Sequence, residues 1–188
     1  MSTVLDLSPI MQLTREQFYE LCRANRDIPL ERSPKGELII VSPVGGESGN
    51  QEAKLIIKVG VWNEQTGLGV VFSSSTIFSL PGGGDRSPDV AWVRRNRWDA
   101  LTPEQRETFP PICPDFVIEL RSRSDHLSPL QAKMQEYLDS GLRLGWLINP
   151  QDQQVEIYRP GQSVEVVDMP AVLSGEETLP GFSLEVEA

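Results

Sequence analysis

The sequence is short of the residues that would commit it to an extracellular, membrane or thiolate-metal setting. It has two cysteines, Cys22 and Cys113, 91 residues apart and without a CxxC partner. That excludes a disulfide scaffold and a cysteine zinc site, and it fits a reducing cytoplasm. It has one histidine, His126, in a loop-like stretch, and the ring reads as exposed rather than as a base. Apolar runs stop after a few residues, at 38–41 and 55–57, far short of the roughly 18 needed to read as a membrane span. Residues 1–12 carry Asp6 and offer neither a basic start nor an apolar stretch, so no secretory signal is expected. Bases are scarce as well: 17 Lys and Arg stand against 27 Asp and Glu, a net charge of −10. Such a surface is a poor general binder of polyanions. The imbalance is uneven, because from Gln151 onward there are eight acids and one base, Arg159. The rest of the chain is close to balanced, which leaves room for a local polyanion groove.

The 188 residues, 39% apolar and 23% charged, are enough for one domain, expected over residues 1–188. No repeat or long linker divides them. Helices are expected at 14–22, capped by Thr14, at 47–64, ended by Gly67, from Thr102-Pro103, and at 129–140, ended by Gly141. A hairpin is expected from 30–32 and 37–41 around Pro34-Lys35-Gly36. Short strands are expected at 70–72, 76–78, 89–93, 116–120 and 144–148, followed by an exposed antiparallel pair at 155–158 and 164–167. The strand–helix–strand unit over 116–148 has the size of a crossover between parallel neighbours. These elements predict a mixed α/β or α+β domain built around one sheet.

The chemistry gathers at strand ends. Asp89 follows Ser87-Pro88 at the mouth of a strand, after the glycine turn 82–84. Glu119 lies inside the apolar run Phe116-Val117-Ile118-Glu119-Leu120, where a charge must be paired or bound to a cation. Alternation puts Glu119 and Arg121 on one face. Two carboxylates on neighbouring strands can hold a hard divalent ion; the alternative is a buried ion pair of Glu119 with Arg121 or Lys133. Arg94, Arg95 and Arg97 form the densest basic cluster, read as a solvated loop or the lining of a phosphate groove. Asp125 reads as a helix cap, and Trp92, Trp98, Trp146 and Tyr137 read as core.

The runs RSPDVAWV (86–93), PDFVIELRSRSD (114–125), LQAKMQEYLDSGLRLGWLINP (130–150) and VEIYRPGQ (155–162) resemble the Uma-two family of endonucleases, part of the restriction-endonuclease-like PD-(D/E)xK superfamily. The resemblance implies an α/β fold with a central mixed sheet flanked by helices, an N-terminal helix and hairpin, and C-terminal antiparallel strands. It implies a magnesium-dependent endonuclease, manganese being a substitute, acting on DNA as a cytoplasmic enzyme and as a homodimer. Asp89 matches the acid of the PD motif, Glu119 the acid of the second motif, and Glu47 an acid at the start of the first core helix, with Glu52 as its rival. Asp89, Glu119 and the main-chain carbonyl of Leu120 would hold the ion. Arg121 stands where the superfamily has lysine; an arginine cannot act as a base, though it can clamp a phosphate. The resemblance moves the lysine to the next helix, where Lys133 matches. A catalytically inactive relative, kept as a nucleic-acid-binding or protein-interaction module, stays open as the alternative.

Overall fold

The computed structural model describes residues 2–8 and 10–187; Met1, Pro9 and Ala188, which the expected span 1–188 includes, lie outside them. The elements run β1 (Thr3–Leu5), α1 (Arg15–Ala24), β2 (Leu30–Arg32), β3 (Leu38–Ile40), α2 (Gly46–Thr66), β4 (Gly69–Ser73), β5 (Phe78–Ser79), β6 (Asp85–Arg86), β7 (Val90–Arg94), α3 (Arg95–Asp99), α4 (Pro103–Glu107), β8 (Phe116–Leu120), α5 (Leu127–Asp139), β9 (Leu144–Asn149), β10 (Gln154–Tyr158), β11 (Glu165–Asp168), β12 (Ala171–Ser174) and β13 (Ser183–Val186). Helix α1 starts where expected, because Thr14 accepts from the Gln17 N–H while the Gln17 side chain accepts from the Thr14 N–H, a closed capping box. Helix α2 ends at Gly67 in the left-handed region (φ 67°), a conformation glycine takes without a Cβ clash.

The expectation of one sheet is corrected. Among the described residues there are three: a six-stranded sheet in the order β11-β10-β9-β8-β7-β4, a five-stranded sheet β1-β3-β2-β6-β5, and the hairpin β12-β13. The two-residue strands β5 and β6 are too short to carry an alternation pattern, which is why the second sheet does not read from sequence. In the large sheet β8 and β9 are parallel, joined over α5, and every other neighbour is antiparallel. The expected exposed pair is half right: β11 is exposed, whereas β10 is buried between it and β9.

The large sheet is packed on both faces. Leu55, Val59 and Trp62 of α2 and Leu173, Phe182 and Leu184 of the terminal hairpin cover one face, against Trp92, Phe116, Ile118 and Trp146. Met134 and Tyr137 of α5 cover the other, against Ala91, Val117 and Leu147, together with Phe78 of β5 and Leu80 just after it. Gly145 lets α5 approach, since a Cβ there would lie 2.5 Å from Met134 Cε and 2.8 Å from Leu142 Cδ2. Alternation along β8 thus sends Phe116, Ile118 and Leu120 towards α2, and Val117 and Glu119 towards α5.

Candidate active site

The sheets meet at a short seam. The chain leaves the five-stranded sheet after Arg86, crosses Ser87-Pro88-Asp89, and enters the six-stranded sheet at Val90. Val90 pairs with Ile118, and Asp89 stands one residue before β7, a step beyond that pair. The Leu120 N–H donates to Asp89 Oδ2 at 2.7 Å, fixing the carboxylate against the end of β8. Both acids and Leu120 open onto a cavity of about 1000 Å³ bounded by the N-terminal layer, the start of α2 and the first turns of α5.

Lys133 reaches back over the sheet from α5. Its Nζ stands 2.9 Å from Glu119 Oε1 and 2.9 Å from Glu31 Oε1, and it donates to the Ser87 carbonyl at 3.1 Å. Its three protons are therefore all engaged. The buried Tyr137 hydroxyl, one turn along α5, donates to Glu119 Oε1 at 2.9 Å. Glu31, 3% exposed in β2, also accepts from Arg86 at 2.9 Å and from the Ser87 N–H at 2.9 Å. Arg86 in turn holds Glu136 with two hydrogen bonds, at 2.6 and 2.8 Å.

The electrostatics follow from this packing. Burial, then the neighbouring Glu119 charge, push the Asp89 carboxyl well above its ordinary value. Burial also raises Glu119, against the pull of Lys133. Burial would raise Glu31 too, but Lys133 and Arg86 outweigh it and hold that carboxyl at about 2. Lys133 is desolvated, yet Glu119, Glu31 and Asp89 keep it charged above its ordinary range. Negative charge thus exceeds what the lysine neutralises, and the excess lies where Asp89 and Glu119 adjoin. A divalent cation relieves that repulsion as a shared proton does. Two carboxylate oxygens with the remaining positions filled by water suit Mg²⁺, which sheds its hydration shell reluctantly. Among the described residues no three acidic, histidine or cysteine side chains are grouped so as to hold a metal ion by themselves.

The remaining candidates separate cleanly. Glu47 lies exposed in the first turn of α2, beside Gln51, and does not line the cavity. Glu52, one turn further, does; it accepts from Ser74 Oγ at 2.5 Å, and its charge is felt at Asp89. Arg121 does not meet Glu119. The strand ends at Leu120, and the guanidinium swings to Asn149 Oδ1 (3.1 Å), Asp152 Oδ2 (2.8 Å) and the Asp125 carbonyl (3.1 Å). Of the two ion pairs weighed for Glu119, the one with Lys133 forms.

The arginine cluster is not a loop: Arg95 and Arg97 belong to α3. Arg95, exposed, donates to the Gly69 carbonyl, and Arg97 pairs with the buried Asp115 at 2.9 Å. Asp125 closes the turn after β8 by accepting from Ser122 and does not cap α5, whose N-cap is the exposed His126. The sequence reading missed Glu31, Arg86 and Glu136. Adjacent charges in Leu30-Glu31-Arg32, a strand buried at every position, carry the same signal that singled out Glu119.

A family model described as "Uma2: Putative restriction endonuclease" matches residues 15–187. Among solved structures the chain is similar to one described as "a putative nuclease belonging to DUF820" from Anabaena variabilis. The identity is 22% over 92% of this chain and 94% of that one, with a TM-score of 0.77. That level of identity speaks for a shared α/β nuclease fold. No curated protein matches the chain significantly.

Proposed function

From the premise that this chain belongs to the Uma2 family of restriction-endonuclease-like proteins, we propose that it is a metal-dependent endonuclease that hydrolyses phosphodiester bonds in DNA. The observation that carries this reading is that Asp89 and Glu119 line one cavity, Asp89 held by the Leu120 N–H and Glu119 by Lys133. Residues 1–188 act as one nuclease domain, and a cytoplasmic homodimer would offer one cleft to each strand of a duplex.

Asp89, Glu119 and the Leu120 carbonyl would hold Mg²⁺ or Mn²⁺, which when bound polarises a phosphate oxygen and lowers the pKa of water. Lys133 stays protonated, so it is not a base: its protons go to Glu119, Glu31 and the Ser87 carbonyl, and it acts by fixing the Glu119 carboxylate and by placing a positive charge beside the phosphate. Tyr137 and Leu120 hold the two carboxylates against rotation through their hydrogen bonds. Arg121, bound to Asp152 and Asn149, steadies the turn after β8, and Glu52 takes the place first given to Glu47 by adding negative charge beside Asp89.

The test is incubation of supercoiled plasmid with the purified protein and Mg²⁺ or Mn²⁺. Nicking or linearisation that stops with EDTA and is lost in Asp89→Asn and Glu119→Gln supports the reading. Saturable metal binding without cleavage of any DNA or RNA in a broad panel overturns it in favour of an inactive nuclease-fold module.

A further inference from the structure

Lys133 is shared between two buried carboxylates that come from different sheets. Glu119 belongs to the six-stranded sheet and faces the proposed ion site. Glu31 belongs to the five-stranded sheet, lines the same cavity, stands at the same 2.9 Å from the lysine, and is itself gripped by Arg86 and Ser87. Arg86 is locked in place by Glu136 of α5. Glu31 thus has a fixed address and a full set of donors, yet it touches neither Asp89 nor any group assigned to hold a cation.

We infer that Glu31 is a positioning residue which, by holding the Lys133 ammonium away from exclusive pairing with Glu119, keeps the Glu119 carboxylate available to a divalent cation. The inference rests on the metal-dependent reading of the site. A buried ammonium and an incoming cation compete for the same carboxylate, because each neutralises the charge the other needs. With Glu31 in place the lysine has a second anion to lean on, and Glu119 gives up only part of its countercharge when it turns to the ion. Without that anion the whole attraction of Lys133 falls on Glu119, and the ion must displace it.

The test is the affinity of the full-length protein for Mn²⁺ alone, measured by calorimetry, with no nucleic acid present. Glu31→Gln removes the charge but keeps an oxygen for the lysine, and it should weaken Mn²⁺ binding about tenfold, the scale of coupling between contacting groups. In a Lys133→Met background the competition is gone, so the same change at Glu31 should move the affinity by less than about twofold, a non-additivity that general loosening of the fold does not produce. Glu31→Asp keeps the charge but draws the carboxylate back by one methylene, loosening its hold on the lysine. It should fall between wild type and Glu31→Gln, and it carries the comparison should Glu31→Gln fail to fold by circular dichroism. An unchanged affinity in both Glu31 variants overturns the inference and leaves the metal reading standing, as does an equal loss with and without Lys133. Absence of Mn²⁺ binding by the wild-type protein overturns the metal reading itself, and this inference with it.

Discussion

Asp89 stands one residue before β7, a step beyond the Val90–Ile118 pair, and the N–H of Leu120, the residue after Glu119, donates to the Asp89 carboxylate at 2.7 Å. Two acids so placed act against the fold that holds them. Asp89 has its carboxyl raised well above the ordinary value by burial and by Glu119. In the metal-free protein it contributes stability below the unfolded value near 3.8, and that stability is lost as pH rises towards the folded value, because the unfolded chain ionises first. Asp89→Asn keeps an acceptor for Leu120 and carries no charge. In EDTA the variant should therefore melt higher than wild type at pH 7 to 8, by about 3 °C, and the difference should vanish near pH 4. Differential scanning calorimetry across that range checks it; a variant that melts lower at neutral pH contradicts it. The same variant should show no detectable cleavage.

Glu52, not Glu47, lines the cavity beside Asp89. Glu52→Ala should reduce plasmid cleavage about tenfold, and Glu47→Ala should leave it within about twofold. Initial rates at saturating Mg²⁺ decide between them, and the reverse ranking would return the helix-start role to Glu47.

Arg121 is turned away from the cleft towards Asn149 and Asp152. Arg121→Ala should cost about 1–2 kcal/mol of stability through lost hydrogen bonds and change kcat by less than about threefold. A loss of cleavage of a hundredfold or more, without a matching fall in melting temperature, would put the guanidinium at the phosphate after all.

Gly69 starts β4 where the Trp92 indole and the Val93 carbonyl occupy the space a Cβ would need. Its N–H and the Trp92 indole N–H both donate to Asn63 Oδ1, at 3.0 and 2.8 Å. Gly69→Ala should lower stability by about 2–3 kcal/mol, the upper part of the overpacking range, as read by urea denaturation. A shift under about 0.5 kcal/mol would mean that the strand can slide to make room.

What the sequence made legible was what it writes locally. Phe116–Leu120 appears at its expected bounds because five residues of one apolar run suffice to mark a strand buried on both faces. The Thr14 and Thr102 caps appear because each threonine is followed three residues later by glutamine. Glu119 stands out in the sequence because a charge inside an apolar strand must find a partner, with Arg121 and Lys133 both open as that partner; Lys133 joins Asp89 and Glu119 as a set only through the family resemblance. Glu31 and Arg86 lie 55 residues apart in strands of two and three residues, too short to carry a period, and only the second sheet brings them together. Arg121 was misread because alternation holds only while the strand lasts, and this one stops one residue earlier.

The seam at Ser87-Pro88 makes the site a gauge of assembly. Glu119 belongs to the six-stranded sheet and Glu31, the lysine's second anchor, to the five-stranded one, so a molecule whose N-terminal layer has peeled off keeps Asp89 and Glu119 and loses one of the two carboxylates that hold Lys133. A nascent, nicked or partly melted chain would then be inert long before its core gives way, which is a safe order of events for a protein whose proposed reaction is irreversible damage to a polymer.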